Sequence, residues 1–171
     1  EQLVRNTLDQ FFKGKNESCR IKVLGHAHLI HADPEELSQA IVNVLQNGLE
    51  ASLGQGLEVF IGENEFTTPQ LMSGQYVPAG TYARIDICDV GRGIDSEQLF
   101  RIFDPYYSTK ERGALKGMGL GLTVVYAILR NHGGYVVVSS EPNQGTTFSL
   151  YLPALFDDLT PHSLDSAGPA E

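Results

Sequence analysis

Gly117-Met118-Gly119-Leu120-Gly121-Leu122 sets a glycine at every second position and leads directly into the apolar-periodic run Thr123 to His132. A glycine inside a helix or strand forfeits backbone entropy and packs nothing, so this spacing marks bare backbone whose N–H groups can lie against a ligand. Leu120, Val124, Ile128 and Val125, Leu129 recur at helical spacing, and His132-Gly133-Gly134 supplies a stop. The glycines thus sit on a helix N-terminus, where free amides and the macrodipole favour an anion such as phosphate. A plain loop ahead of a helix has the same composition, so other residues must decide between the two.

Asn43 and Asn47 are the next pair with chemical content. Asp33-Pro34-Glu35-Glu36 opens a helix with an aspartate cap, a proline in the first turn and a glutamate three residues after the cap. That helix is expected to run to about Leu53, with Leu37, Ile41, Val44, Leu45, Gly48 and Ala51 as its buried stripe. Asn43 and Asn47 fall one turn apart beside the stripe, and Glu50 follows. Asparagine competes with the helix for backbone hydrogen bonds, so two of them near a core face need a reason. Either they bridge local backbone or their amide oxygens face a cation or polar ligand; Mg²⁺ takes such oxygens. Asp89 poses a similar question. In the strand Tyr82 to Val90, Ala83, Ile85, Ile87 and Asp89 share one face, which puts a carboxylate on the core side at the strand end. It needs donors there: an adenine amino group, a backbone turn or a water.

The elements that position these residues read in order. Residues 1–13 end a helix, and Cys19 to Leu24 form a strand. Leu57 to Gly62 is a short strand, and residues 63–80 lack periodicity and read as a hairpin loop. A short helix capped by Asp95 or Ser96 spans Glu97 to Phe103, and a polar segment with Lys110 leads to Lys116 as a possible lid. Tyr135 to Ser139 and Thr146 to Leu152 form a hairpin turned by Pro142 to Gly145, with Thr146 on the inner face. His26, His28 and His31 have spacings a metal could use, but no carboxylate pattern accompanies them.

Composition bounds the partners. The chain has 171 residues, 12 basic against 21 acidic, and a net charge of −9, which argues against nucleic acid. No apolar run reaches the length of a membrane span, so no membrane contact is expected in this segment. Two cysteines, Cys19 and Cys88, form neither a metal spacing nor a disulfide framework and suit a reducing, cytoplasmic setting.

Taken together, the motifs resemble the ATP-binding catalytic domain of sensor histidine kinases, within the superfamily of DNA gyrase, mismatch-repair ATPases and heat-shock chaperone ATPases. The resemblance covers about Ile21 to Pro153. Asn43 to Gly48 looks like the asparagine box, Asp89 to Ile94 like the first glycine box, and Phe100 to Lys110 like the phenylalanine box. Gly117 to Leu122 matches the second glycine box and Gly145 to Phe148 the last. The resemblance implies an α/β two-layer sandwich (α+β): a mixed, largely antiparallel sheet covered on one face by three helices, with ATP between the layers. It divides the chain into the end of a preceding helix (1–16), the ATP-binding domain (17–153) and an acidic tail or linker (154–171).

By resemblance, Asn47 is the Mg²⁺ ligand and Asn43 its neighbour near the phosphates. Asp89 reads adenine, Gly91 and Gly93 make room for the base, and Ile94 lies beside it. Lys110 is a lid cation, and with Asn43 it is the expected catalytic residue. Gly117, Met118, Gly119, Leu120, Gly121 and Leu122 cradle the phosphates, and Thr146 contacts adenine through water. ATP and Mg²⁺ are the implied cofactors. A phosphoacceptor histidine on a helical dimerisation domain and a response regulator or receiver domain are the implied partners. None of His26, His28, His31, His132 or His162 lies in the family's phosphoacceptor context. The rival readings are a superfamily ATPase and a nucleotide-binding regulator without phosphotransfer. The gyrase-like ATPases use a glutamate to activate water four residues before the metal asparagine, where this chain has Asn43. A Rossmann site is disfavoured because Leu122 stands at the third glycine position.

Overall fold

A computed structural model describes residues 1–25, 29–107 and 119–155. Lys110, Gly117 and Met118, the lid segment to Lys116, His26, His28 and the acidic tail lie outside the described residues, apart from Ala154 and Leu155 at the start of that tail. In chain order the elements are α1 (Gln2–Phe12), β1 (Cys19–Leu24), β2 (Leu29–Ile30), α2 (Pro34–Ala51), β3 (Leu57–Phe66), β4 (Gln70–Met72), β5 (Gln75–Val77), β6 (Gly80–Asp89), α3 (Ser96–Leu99), α4 (Gly121–Asn131), β7 (Tyr135–Glu141) and β8 (Gly145–Leu155).

The main sheet runs β1-β3-β6-β8-β2, with β7 also on β8. Among the described residues only the β1–β3 pair of this sheet is parallel; the others are antiparallel. Register places residues in rungs that cross the sheet. Ile61, Ile85, Leu150 and Val136 form one rung, and Val59, Ile87, Phe148 and Val138 the next. All eight are buried and face the helices. The following rung is Leu57, Asp89, Thr146 and Ser140: the apolar face turns polar at its last step.

Helix α2 begins as its sequence requires. Asp33 Oδ1 accepts from the Glu35 and Glu36 amides at 2.8 and 3.0 Å, and Pro34 fills the first turn. Ile41, Val44 and Leu45 are fully buried between this helix and the sheet. Helix α4 adds Val125 and Leu129, and α1 adds Val4 and Leu8, with Thr7 Oγ1 3.0 Å from Ser38 Oγ of α2. His132 fastens the far end of α4 to the start of α2. The Asp33 N–H donates to its Nε2 at 2.9 Å, so Nδ1 carries the proton and donates to the Ile128 carbonyl at 2.8 Å.

Residues 63–80 differ from the expected loop. Strand β3 continues to Phe66, and β4 and β5 form a small separate hairpin on the sheet's other face. There Val77, Tyr82 and Tyr151 make a second apolar cluster with Phe66 and Met72. The hairpin also covers an outer edge of β7: Ser73 Oγ donates to the Val138 carbonyl and accepts its N–H, and Gln75 Nε2 donates to the Val136 carbonyl. Strands of three residues are too short to show periodicity, which is why alternation does not reveal them.

Candidate functional site

A cavity of about 650 Å³ opens between α2, the start of α4 and the polar rung of the sheet. Its volume falls in the range of small-molecule sites. Asn43 and Asn47 reach it from α2, Asp89 from the end of β6, and Thr146 from the start of β8. Gly93 and Ile94 line it from the loop after β6, and Gly119, Gly121 and Leu122 from the start of α4.

Helical periodicity brings the two asparagines to the same wall with different jobs. Asn43 Nδ2 donates to the Gly121 carbonyl at 3.3 Å, linking α2 to the first residue of α4. Asn47 Nδ2 donates back to the Asn43 carbonyl at 3.0 Å, which leaves Oδ1 as its acceptor atom. The backbone-bridging reading holds for both asparagines: each amide NH₂ donates to a backbone carbonyl, and each side-chain oxygen lies outside those bonds.

Asp89 is buried. Its Oδ1 accepts the Gly91 N–H at 2.8 Å, so a backbone turn supplies one donor. Burial pushes its pKa above the ordinary carboxylate value; the backbone N–H groups of Gly91 and Thr146 oppose that rise. The bare backbone beside it serves the chain's own packing. A Cβ on Gly91 would sit 2.5 Å from the carbonyl of Ala51, and Gly93, at φ +69°, would drive one into the Glu141 carbonyl. Neither position tolerates a side chain.

At the other end, α4 begins at Gly121, two residues earlier than periodicity placed it. Leu120 occupies the N-cap without a side-chain bond, and the first intrahelical bond there is from Val124 N–H to the Leu120 carbonyl. The amides of Gly121, Leu122 and Thr123 precede that bond and have no intrahelical partner. Gly119 accepts the Tyr106 N–H at 3.1 Å, and Thr123 Oγ1 donates to the Phe103 carbonyl at 3.0 Å. These two bonds hold the phenylalanine-rich segment against the helix start. Asp95 caps α3 by position only, without a side-chain bond, and lines the cavity. Among the described residues no group of three or more His, Cys, Asp and Glu could hold a metal, and His31 stands apart from any such cluster. The Cys19 thiol is pushed up to about 11 by burial and both cysteines are free, which makes them packing residues.

A family model described as "Histidine kinase-, DNA gyrase B-, and HSP90-like ATPase" matches residues 32–155. The chain belongs to that family. It carries the ATPase domain that sensor histidine kinases share. The sensor histidine kinase ZraS of Escherichia coli (strain K12) is 36% identical over 124 residues, which is 72% of this chain and 23% of that protein. Sporulation kinase E of Bacillus subtilis (strain 168) is 32% identical over 155 residues, 89% of this chain and 19% of that protein. The chain thus spans less than a quarter of the length of either relative. The solved structure of the mycobacterial sensor histidine kinase MprB superposes with a TM-score of 0.67 at 20% identity, covering 90% of this chain and 94% of that one. That likeness confirms the two-layer fold, with α1 as a fourth helix beside the three expected.

The family boxes do not include Ser140, which is bonded to three residues at the edge of the site. Its hydroxyl accepts the Ile94 N–H, donates to the Gly145 carbonyl and meets Thr146 Oγ1, each at 2.9 Å. Only the strand register exposes this cluster, because Ser140 and Thr146 are cross-strand partners. Ile102 and Tyr107 also line the cavity, from within the segment quoted as the phenylalanine box.

Proposed function

We propose that this family domain binds Mg·ATP between its layers and donates the γ-phosphate to a histidine on a separate helical domain. The observation that carries the reading is the polarity of the cavity. One end presents the acceptors Asp89 and Thr146, and the other presents Asn47 Oδ1 and the open amides of α4. An acceptor-rich end fits the amino group of adenine, and an amide-rich end fits phosphate. Asp89 would accept from the adenine amine while Ile94 and the Gly91–Gly93 turn border the base. Gly119, Leu120, Gly121 and Leu122, with Gly117 and Met118 beyond the described residues, would hold the phosphates, and Lys110 would close over them.

The donor set also fits Mg²⁺ carried in by the nucleotide. A cation that keeps waters and phosphate oxygens needs few protein ligands, and Asn47 offers one oxygen without an acidic cage. When bound, Mg²⁺ supplies charge neutralisation at the phosphates. The chain's own residues would position and orient. Asn43 donates to Gly121 and has no lone pair basic enough to take a proton from water, so the step that a clamp ATPase needs is lacking at this position. That favours a nucleophile that brings its own lone pair, such as a histidine.

The remaining partners belong to the same proposal: a response regulator or receiver domain downstream of the histidine, in the cytoplasm where ATP is supplied. Residues 1–16 would continue from the helical domain and 154–171 would form a linker. Among the described residues no helix is long and apolar enough to cross a membrane. Calorimetry tests the binding step. Mg·ATP should bind, and Asn47→Ala should weaken binding in Mg²⁺ far more than in chelator. Equal losses in both conditions would remove Asn47 from the metal.

A further inference from the structure

The proton on the Ser140 hydroxyl has a determined destination, and that fixes its neighbour. A serine oxygen has one O–H and two lone pairs. The Ile94 N–H can only donate, so it takes one lone pair at 2.9 Å. The Gly145 carbonyl can only accept, so it takes the proton at 2.9 Å. Thr146 Oγ1, at 2.9 Å, is left to donate into the second lone pair. The reverse assignment would set the Ser140 lone pairs against the Gly145 carbonyl oxygen at the same distance, which is repulsive.

We infer that Ser140 is a positioning residue for base selection: by taking the Thr146 hydroxyl proton it turns Thr146 into a pure acceptor toward the cavity. The inference rests on the adenine end assigned above. Asp89, register partner of Thr146 across β6 and β8, has no donor when ionised. The two side chains in that rung then present lone pairs alone. A purine edge carrying an amino group at position 6 is welcomed, and one carrying a carbonyl there meets two acceptors. Without Ser140 the Thr146 hydroxyl is released to rotate and donate, and the carbonyl edge gains a partner.

The pair of probes for this is Mg·ATP against Mg·ITP, which differ at position 6 of the base and in the proton that the 6-carbonyl form carries on N1. Wild type should prefer ATP. Ser140→Ala should narrow that preference roughly three- to tenfold, the span of one neutral hydrogen bond, chiefly by improving ITP. Thr146→Val removes the hydroxyl altogether, so adding Ser140→Ala in that background should leave the ratio unchanged. Ser140→Thr keeps a hydroxyl and should keep the wild-type ratio. Equal weakening of both nucleotides in Ser140→Ala, or an additive effect in the double variant, would make Ser140 merely structural and overturn the inference. If wild type itself binds ATP and ITP alike and Asp89→Asn changes neither, the adenine assignment fails instead. A thermal melt of each variant verifies that the ratios come from folded protein.

Discussion

Asn43 on α2 donates its side-chain amide to the carbonyl of Gly121, the first residue of α4, across 3.3 Å. The bond ties the wall that carries both asparagines to the helix start, whose first amides have no intrahelical partner. Asn43→Asp keeps the size but sets a carboxylate oxygen against a carbonyl. The expected result is a loss of about 1–2 kcal/mol, roughly 2–8 °C in Tm, together with weaker Mg·ATP binding. Differential scanning calorimetry with and without nucleotide reads both effects. An unchanged melt would show that the bond carries no weight.

Asp89 is buried with a raised pKa, so its ionised form is disfavoured in the folded chain. A carboxylate whose folded pKa exceeds its unfolded value contributes stability when protonated, below the unfolded pKa, and loses it as pH rises through the folded pKa. At neutral pH the charge is therefore a stability cost, and Asp89→Asn should leave the nucleotide-free melt unchanged or raise it. The same variant should weaken ATP about ten- to a hundredfold, the scale of a hydrogen bond to a charged acceptor, and GTP much less. Titration calorimetry on both nucleotides is the check. Comparable losses for ATP and GTP would contradict the base-reading role.

Acidification gives an independent view of the same group. Protonating Asp89 removes its charge and turns one oxygen into a donor, so Mg·ATP affinity should be full at neutral pH and decline on acidification earlier than for an ordinary carboxylate. Asp89→Asn should flatten that part of the profile, with the titration of the nucleotide phosphate common to both proteins. Identical profiles would mean that another group titrates.

Much of this was legible in the chain because it rests on short-range rules. The Asp33 cap follows from residue type and spacing, and the inward side of Asp89 and Thr146 follows from strand alternation. What was hidden depends on long-range register or on the chain's own close packing. Ser140 shows its role only once β7 is laid against β8. The β4–β5 hairpin is too short to carry a period, and its polar hold on β7 comes from two side chains, Ser73 and Gln75. Nor did the sequence show that a side chain at Gly91 would meet the backbone of Ala51.

His132 anchors the end of α4 farthest from the cavity, with both ring nitrogens bonded and the residue mostly buried. His132→Ala should cost about 1–3 kcal/mol in chemical denaturation by stripping the Asp33 amide and the Ile128 carbonyl of a partner. ATP affinity measured on the folded variant should stay close to wild type. A large affinity loss without a stability loss would place His132 in the binding machinery instead.

The central claim is that this domain donates phosphate to a partner histidine and does not turn ATP over by itself. The most direct measurement incubates the chain with γ-labelled Mg·ATP, alone and with the helical phosphoacceptor domain of its own full-length protein. Alone it should release inorganic phosphate very slowly and acquire no label. With the helical domain, acid-labile label should appear on that domain's histidine and disappear with Asn47→Ala. Robust, Asn47-dependent release of inorganic phosphate by the isolated chain, with no label on the added domain, would contradict the account.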